Sequence, residues 1–279
     1  APPSAAMADA MVASPDGKTM YIASFSDDAV KWYTRNAAGE LALTGTIAYD
    51  ATLRPKLYDP ISIAISPDGK HLYVGCGGTA RNILTYLVVN VVDGSLTYGS
   101  SQNNQELLDS RAVVVSKDGN HVYVTNHGTA KSWIYNSVFH WTRNAGTGAL
   151  TYEEKVSSSR MSDACGLAFN SDDTMAYVTS RFYGSINWLT RSASTGALTH
   201  QSYLTTSDHA GKSHEAIAVV VAKDDKFVYV FGAEHGYILW FTVNLLSTGN
   251  THLSYTGQVA VSGWTGQGTS ETTPSTQTM

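Results

Sequence analysis

Three histidines, a set of carboxylates and two arginines carry the residue types that acid–base hydrolysis needs. His214 is followed by Glu215, Glu234 by His235, and His127 follows Tyr123-Val-Thr-Asn126. A His or Glu placed against a water molecule can act as general base. Arg111 and Arg181 each offer a planar fork of donors that can hold a carboxylate bidentately or steady a developing oxyanion. With Asp59 and Asp163 these make the candidate set: His214, Glu215, Glu234, His235 and His127 as catalytic groups, and Arg111, Arg181, Asp59 and Asp163 as substrate-binding groups. The alternative for all of them is that they are ordinary polar loop tips. No serine nucleophile elbow and no His-rich zinc signature occurs, and His209 and His214 lie on a loop whose spacing sets no common face. No metal and no cofactor are therefore expected.

The elements that must position these residues are set by a repeat. Five segments align: Ser14-Pro-Asp-Gly-Lys-Thr-Met-Tyr21, Ser66-Pro-Asp-Gly-Lys-His-Leu-Tyr73, Ser116-Lys-Asp-Gly-Asn-His-Val-Tyr123, Ser171-Asp-Asp-Thr-Met-Ala-Tyr177 and Lys223-Asp-Asp-Lys-Phe-Val-Tyr229. The aspartates Asp16, Asp68, Asp118, Asp172 and Asp224 recur at spacings of 52, 50, 54 and 52, each with a tyrosine five residues on. A fixed period of this size marks a propeller or solenoid. Each copy carries a small, β-branched strand, then a turn whose Asp-Gly pair supplies the positive-φ positions of a tight hairpin. A Tyr-centred strand follows, then an aromatic strand, then a Gly turn and a last strand. Four strands in hairpin order make a propeller blade. The chain thus reads as all-β, a single five-bladed β-propeller of four-stranded antiparallel blades at about 8–50, 58–103, 109–157, 163–205 and 214–261. Trp32, Tyr86, His140, Trp188 and Trp240 share one blade position and read as inter-blade core. The turn aspartates read as structural.

In a propeller the loops leading into strand one and those joining strands two and three gather at one end. There they would bring Asp59, Arg111, Asp163, Glu215 and His214 together with Asp27-Asp28, Arg81, His127, Arg181 and Glu234-His235. Blade three has a longer strand-two-to-three connection, Asn126 to Asn136. It serves either as a lid or partner contact or as an extended hairpin without a role.

Ser66-Pro-Asp-Gly-Lys-His-Leu-Tyr-Val74 and Tyr123-Val-Thr-Asn126 resemble the YVTN repeats of the lactonase-like propellers. That group includes bacterial 6-phosphogluconolactonase and carboxymuconate cyclase relatives. The resemblance covers about residues 10–260 and implies hydrolysis of a lactone at the axial funnel. It departs in blade number, since that family usually closes seven blades and five are countable here.

Only 15% of the residues are charged and the net charge is −5, with no Lys/Arg cluster, so nucleic acid is not an expected partner. No apolar run reaches the roughly eighteen residues that a membrane helix needs. The Ser/Thr/Gly-rich composition and the start Ala1-Pro-Pro-Ser4 suggest a processed, secreted chain. Cys76 and Cys165 are too few for a disulfide scaffold. They fall in non-neighbouring blades, so free thiols are favoured over a bond. The Ser/Thr-rich tail, residues 262–279, has a composition that orders only by packing, either sealing the ring beside blade one or mediating self-association with a neighbouring copy. The leading functional expectation is ring-opening hydrolysis of a small carboxylated lactone. The alternative is a non-catalytic extracellular protein that binds a small-molecule or carbohydrate ligand, adheres, or assembles into filaments.

Overall fold

The computed structural model describes residues 8–50, 57–77, 83–104, 106–127, 136–205, 215–233, 236–244 and 252–261. Among these residues the secondary structure is twenty strands and one short 3-10 turn. The first blade is β1 (Ala8–Ala13), β2 (Thr19–Ser24), β3 (Ala29–Arg35) and β4 (Leu41–Ala48). The second is β5 (Pro60–Ile65), β6 (His71–Cys76), β7 (Ile83–Val89) and β8 (Leu96–Asn103). The third is β9 (Ser110–Val115), β10 (His121–Asn126), β11 (Ser137–Arg143) and β12 (Leu150–Ser157). The fourth is β13 (Ala164–Phe169), β14 (Met175–Ser180), β15 (Ser185–Arg191) and β16 (Leu198–Thr205). The fifth is β17 (Ala216–Val221), β18 (Phe227–Gly232), β19 (Tyr237–Val243) and β20 (Leu253–Ala260). Each group forms one sheet whose strands neighbour each other in sequence order. The expected five-bladed all-β propeller is the observed fold. The described residues within 1–124 and 141–153 form one compact unit, and those within 125–140 and 154–261 form a second.

The repeat positions explain the register. The strand-two tyrosine lies directly opposite the strand-three aromatic: Tyr21 faces Trp32, Tyr73 faces Tyr86, Tyr177 faces Trp188 and Tyr229 faces Trp240. Trp32, Tyr86, His140 and Trp188 are buried, as expected of core, whereas Trp240 is half-buried. The strand-four residue against these rings has to be small. A Cβ at Gly45, Gly99 or Gly257 would overlap Trp32, Tyr86 or Trp240 respectively. A β-bulge follows the aromatic in each of these pairings and bends the outer strand around the ring.

The turn aspartates are structural, as read, but the turn differs from the expected tight hairpin. Five residues separate β1 from β2, and only Gly17 has positive φ, at 67°. Gly69 and Gly119 repeat this, and Asp173 and Asp225 take the same place in the last two blades. The aspartate itself keeps negative φ, because its carboxylate accepts the backbone N–H two residues on. The partners are Lys18 (3.1 Å), Lys70 (3.1 Å), Asn120 (2.8 Å), Thr174 (3.1 Å) and Lys226 (3.1 Å).

The aromatic–glycine fit gives a sign test. Gly-to-Ala in a strand interior usually stabilises or is neutral, because glycine is entropically costly there. Gly99→Ala should instead destabilise by about 1–3 kcal/mol through overpacking against Tyr86. Urea unfolding checks this, and unchanged or raised stability would show that the ring yields freely.

Candidate functional site

The acids that lead into the blades share a backbone device. Asp59, Asp163 and Glu215 immediately precede β5, β13 and β17, and each has positive φ, at 43°, 59° and 68°. The carbonyl of each accepts the first N–H beyond strand two of its own blade: Gly77 onto Asp59 (2.7 Å), Arg181 onto Asp163 (2.9 Å) and Ala233 onto Glu215 (3.0 Å). The left-handed turn ties the two loops together. Irregular pairing follows at once in strand one, between Pro60 and Ser62, Ala164 and Leu167, and Ala216 and Ala218. Asp tolerates this conformation better than most residues; Glu does so less well. Such a backbone costs roughly 1–3 kcal/mol and persists where surrounding structure fixes it, often at functional sites.

In the unit of residues 125–140 and 154–261, this device gathers four of the candidate residues. His127, just past β10, places Nε2 2.9 Å from Asp163 Oδ1, with the imidazole side chain 20% exposed. Arg181 places Nη2 3.0 Å and Nε 3.2 Å from Glu215 Oε1. The Glu215 N–H also donates to the Arg181 carbonyl at 3.0 Å, so side chain and backbone fix the same pair. Burial opposes the charge on Arg181, but the Glu215 hydrogen bond and charge, Asp163 and Cys165 together raise its pKa above the ordinary value. Asp163 therefore acts on both His127 and Arg181. Cys165 lies beneath, with Sγ 3.4 Å from the Asp163 carbonyl and 3.6 Å from Oδ1.

In the unit of residues 1–124 and 141–153, Asp28 Oδ1 accepts the Asp59 N–H at 2.7 Å. Arg111 Nη2 lies 2.9 Å from Asp109 Oδ2. Arg111 is only 5% exposed, so it holds Asp109 from within the blade. Asp109 was not among the residues singled out from the sequence, although a signal existed. Asp59, Asp109, Asp163 and Glu215 each stand nine residues before their blade's turn aspartate. His214, Glu234, His235, Arg81, His209, the connection from 128 to 135 and the tail 262–279 lie outside the described residues.

Both cysteines are free and buried, as favoured from the sequence. Burial first, then the charges of Asp59 and Asp28, push the Cys76 thiol well above the ordinary range. Among the described residues, no three His, Cys, Asp or Glu side chains converge as a metal-ligand group, and no helix is long and apolar enough to cross a membrane.

Repeat and blade geometry define a β-propeller. Residues 10–129 and 136–265 match the profile of the family described as lactonase, 7-bladed β-propeller, and the chain belongs to that family. Five blades occupy the described residues. Among solved structures, the periplasmic gluconolactonase PpgL of Pseudomonas aeruginosa aligns with a TM-score of 0.75 at 18% identity, over 91% of this chain and 72% of that one. A candidate 6-phosphogluconolactonase of Bacteroides uniformis aligns with a TM-score of 0.74 at 17% identity, over 91% and 71%. A second candidate, from Bacteroides fragilis, gives 0.71 at 16%, over 90% and 69%. At such identities the likeness shows the fold alone. No curated protein matches.

The thiol environment predicts that native protein reacts negligibly with Ellman's reagent and that both thiols titrate promptly after unfolding in guanidinium. Fast reaction of the native protein would contradict the burial. Absence of thiols after unfolding would show a disulfide.

Proposed function

We propose that the chain hydrolyses a small carboxylated lactone, with His127, Asp163, Arg181 and Glu215 as the working set. Membership of the lactonase family supports the reaction class. The observation that carries the assignment of residues is the pairing of His127 with Asp163 beside the Arg181–Glu215 pair. Asp163 accepts the Nε2 proton of His127, which fixes the neutral ring as the tautomer whose basic lone pair is on Nδ1. His127 takes a proton from water as the water oxygen bonds to the lactone carbonyl carbon. The carbonyl electron pair moves onto oxygen, where the Arg181 guanidinium stabilises it. Collapse re-forms the carbonyl and breaks the ring carbon–oxygen bond, and the imidazolium returns its proton to the leaving alkoxide. Water and lactone become a hydroxy acid with no other reactant.

Glu215 is a positioning residue, since it holds Arg181 through two donors on one oxygen. A substrate carboxylate would compete for the same guanidinium, which is 23% exposed on its side chain and so reachable. Secretion fits this reading. The composition favours it, and a similar fold serves a periplasmic gluconolactonase.

On a panel of sugar and muconate lactones, wild-type protein should accelerate ring opening at neutral pH. His127→Ala should lower kcat about 10²–10⁴-fold, the usual contribution of a general base. Arg181→Met should lower it about 10²–10³-fold, as expected for loss of an oxyanion donor. Glu215→Gln should raise KM and lower kcat less than Arg181→Met does. Wild-type protein that leaves the whole panel intact, or His127→Ala with full activity, would overturn the proposal.

A further inference from the structure

At the turn end of the first two blades lies a cavity of about 330 Å³, small but within the range of ligand pockets, roughly 300–1,000 Å³. Its meaning comes from the neighbouring junction in the same unit. Between blades two and three the corresponding space is filled by Arg143, the last residue of β11. Arg143 Nε donates to Tyr73 Oη at 2.9 Å, Nη1 to the Gly119 carbonyl at 2.7 Å, and Nη2 to both Asp68 oxygens at 3.0 Å. Nη2 also lies 2.7 Å from His71 Nδ1. Tyr73 in turn donates to the Gly148 carbonyl at 2.9 Å.

Between blades one and two the aspartate, the tyrosine and the turn carbonyl recur, while the strand-end guanidinium that reaches all three is missing. The guanidinium that does line the cavity, Arg35, belongs to blade one and is turned onto its own Gly17 carbonyl. Tyr21 donates to the Gly94 carbonyl at 3.0 Å, as Tyr73 does to Gly148. Asp16 stands for Asp68 and Gly69 for Gly119, while the shorter Thr19 replaces His71 and Val89 replaces Arg143 at the end of β7. All six line the cavity. The Gly17 carbonyl is taken by Arg35 Nε at 2.8 Å and that of Gly119 by Arg143, but the Gly69 carbonyl meets no donor among the described residues. Hydrogen bonds from Ser14 Oγ and the Lys18 N–H hold the Asp16 carboxyl at about 2, so it is ionised at neutral pH. Its partner is Lys18, 3.2 Å away, in a pair whose side chains are 77% and 50% exposed. Such pairs contribute little and are readily exchanged. Val91 and Val92, 63% and 90% exposed, border the opening with apolar surface.

The geometry points to a binding site for an alkylguanidinium group, seated on Asp16, Tyr21 and the Gly69 carbonyl in the place that Arg143 fills one junction further on. The planar fork, with donors on three nitrogens, can meet a carboxylate, a hydroxyl and a carbonyl at once better than a compact ammonium does. The alkyl stem would lie along Val89 and the exposed valines. Two sources share this chemistry, a small free guanidine and an arginine side chain of a polypeptide.

Titration calorimetry with n-butylguanidinium tests the site, with n-butylammonium as the control. Saturable binding is expected, weakened about tenfold or more both for the ammonium and in Asp16→Asn, the scale of one charge-assisted hydrogen bond. Val89→Arg should bind none, because its own guanidinium takes the place, and its melting temperature should rise. Absence of wild-type binding, equal binding by Asp16→Asn, or undiminished binding by Val89→Arg would overturn the assignment. Where Val89→Arg is not recovered folded, the Asp16→Asn comparison decides alone. Once binding is established, competition by a Gly-Arg-Gly peptide identifies a polypeptide arginine as the source, and failure to compete identifies a free guanidine.

Discussion

The hydrogen bond from the N–H that follows strand two to the carbonyl of the acid that precedes strand one sets the lead-in end of blades two, four and five. It joins two loops that are distant in sequence, and it requires the acid to turn through positive φ. Once that turn is made, the side chain is presented beside the strand-two exit of its own blade. In blade four this brings Asp163 against Arg181, and in blade five it brings Glu215 into position. Arg181 therefore takes part twice, its backbone closing the blade-four turn and its guanidinium meeting Glu215 from the next blade. A backbone constraint repeated for folding thus supplies the charged pairs that chemistry could use.

The opposite, turn end is built for cohesion. Strand-two tyrosines reach across to the next blade's turn carbonyls, and Arg143 ties together an aspartate, a tyrosine and a backbone carbonyl at one junction. Because the blades repeat, each junction is an internal control for the others. Where Val89 replaces arginine the acceptors remain, and the remaining space reads as a site. Strand-four glycines do related work at the sheet faces, making room for the rings that separate the blades.

Most of the fold was legible because the repeat spaces its aspartate and tyrosine regularly, and period alone implies blades. The aromatic position was legible for the same reason, since opposing strands place Tyr21 on Trp32 and Tyr73 on Tyr86. The turn type was misread, because Asp-Gly suggests a two-residue hairpin while the carboxylate's bond to the N–H two residues on favours a longer one. The pairing of His127 with Asp163 and of Arg181 with Glu215 could not be read from the chain, because each joins loops from neighbouring blades. Asp109 was legible in principle, nine residues before Asp118. The value of Val89 emerges only by comparison with Arg143, once space and donors can be compared.

The proposed function stands on His127 serving as a base held by Asp163. Its most direct test compares two titrations: the acid limb of kcat/KM for lactone opening, and the imidazole titration of His127 followed by ¹⁵N NMR. The two should report the same pKa in the wild type, with the Nε2–H tautomer as the neutral form. In Asp163→Asn both should move downward together, because the imidazolium loses its counter-charge. An acid limb that stays in place while the His127 titration moves would contradict the account.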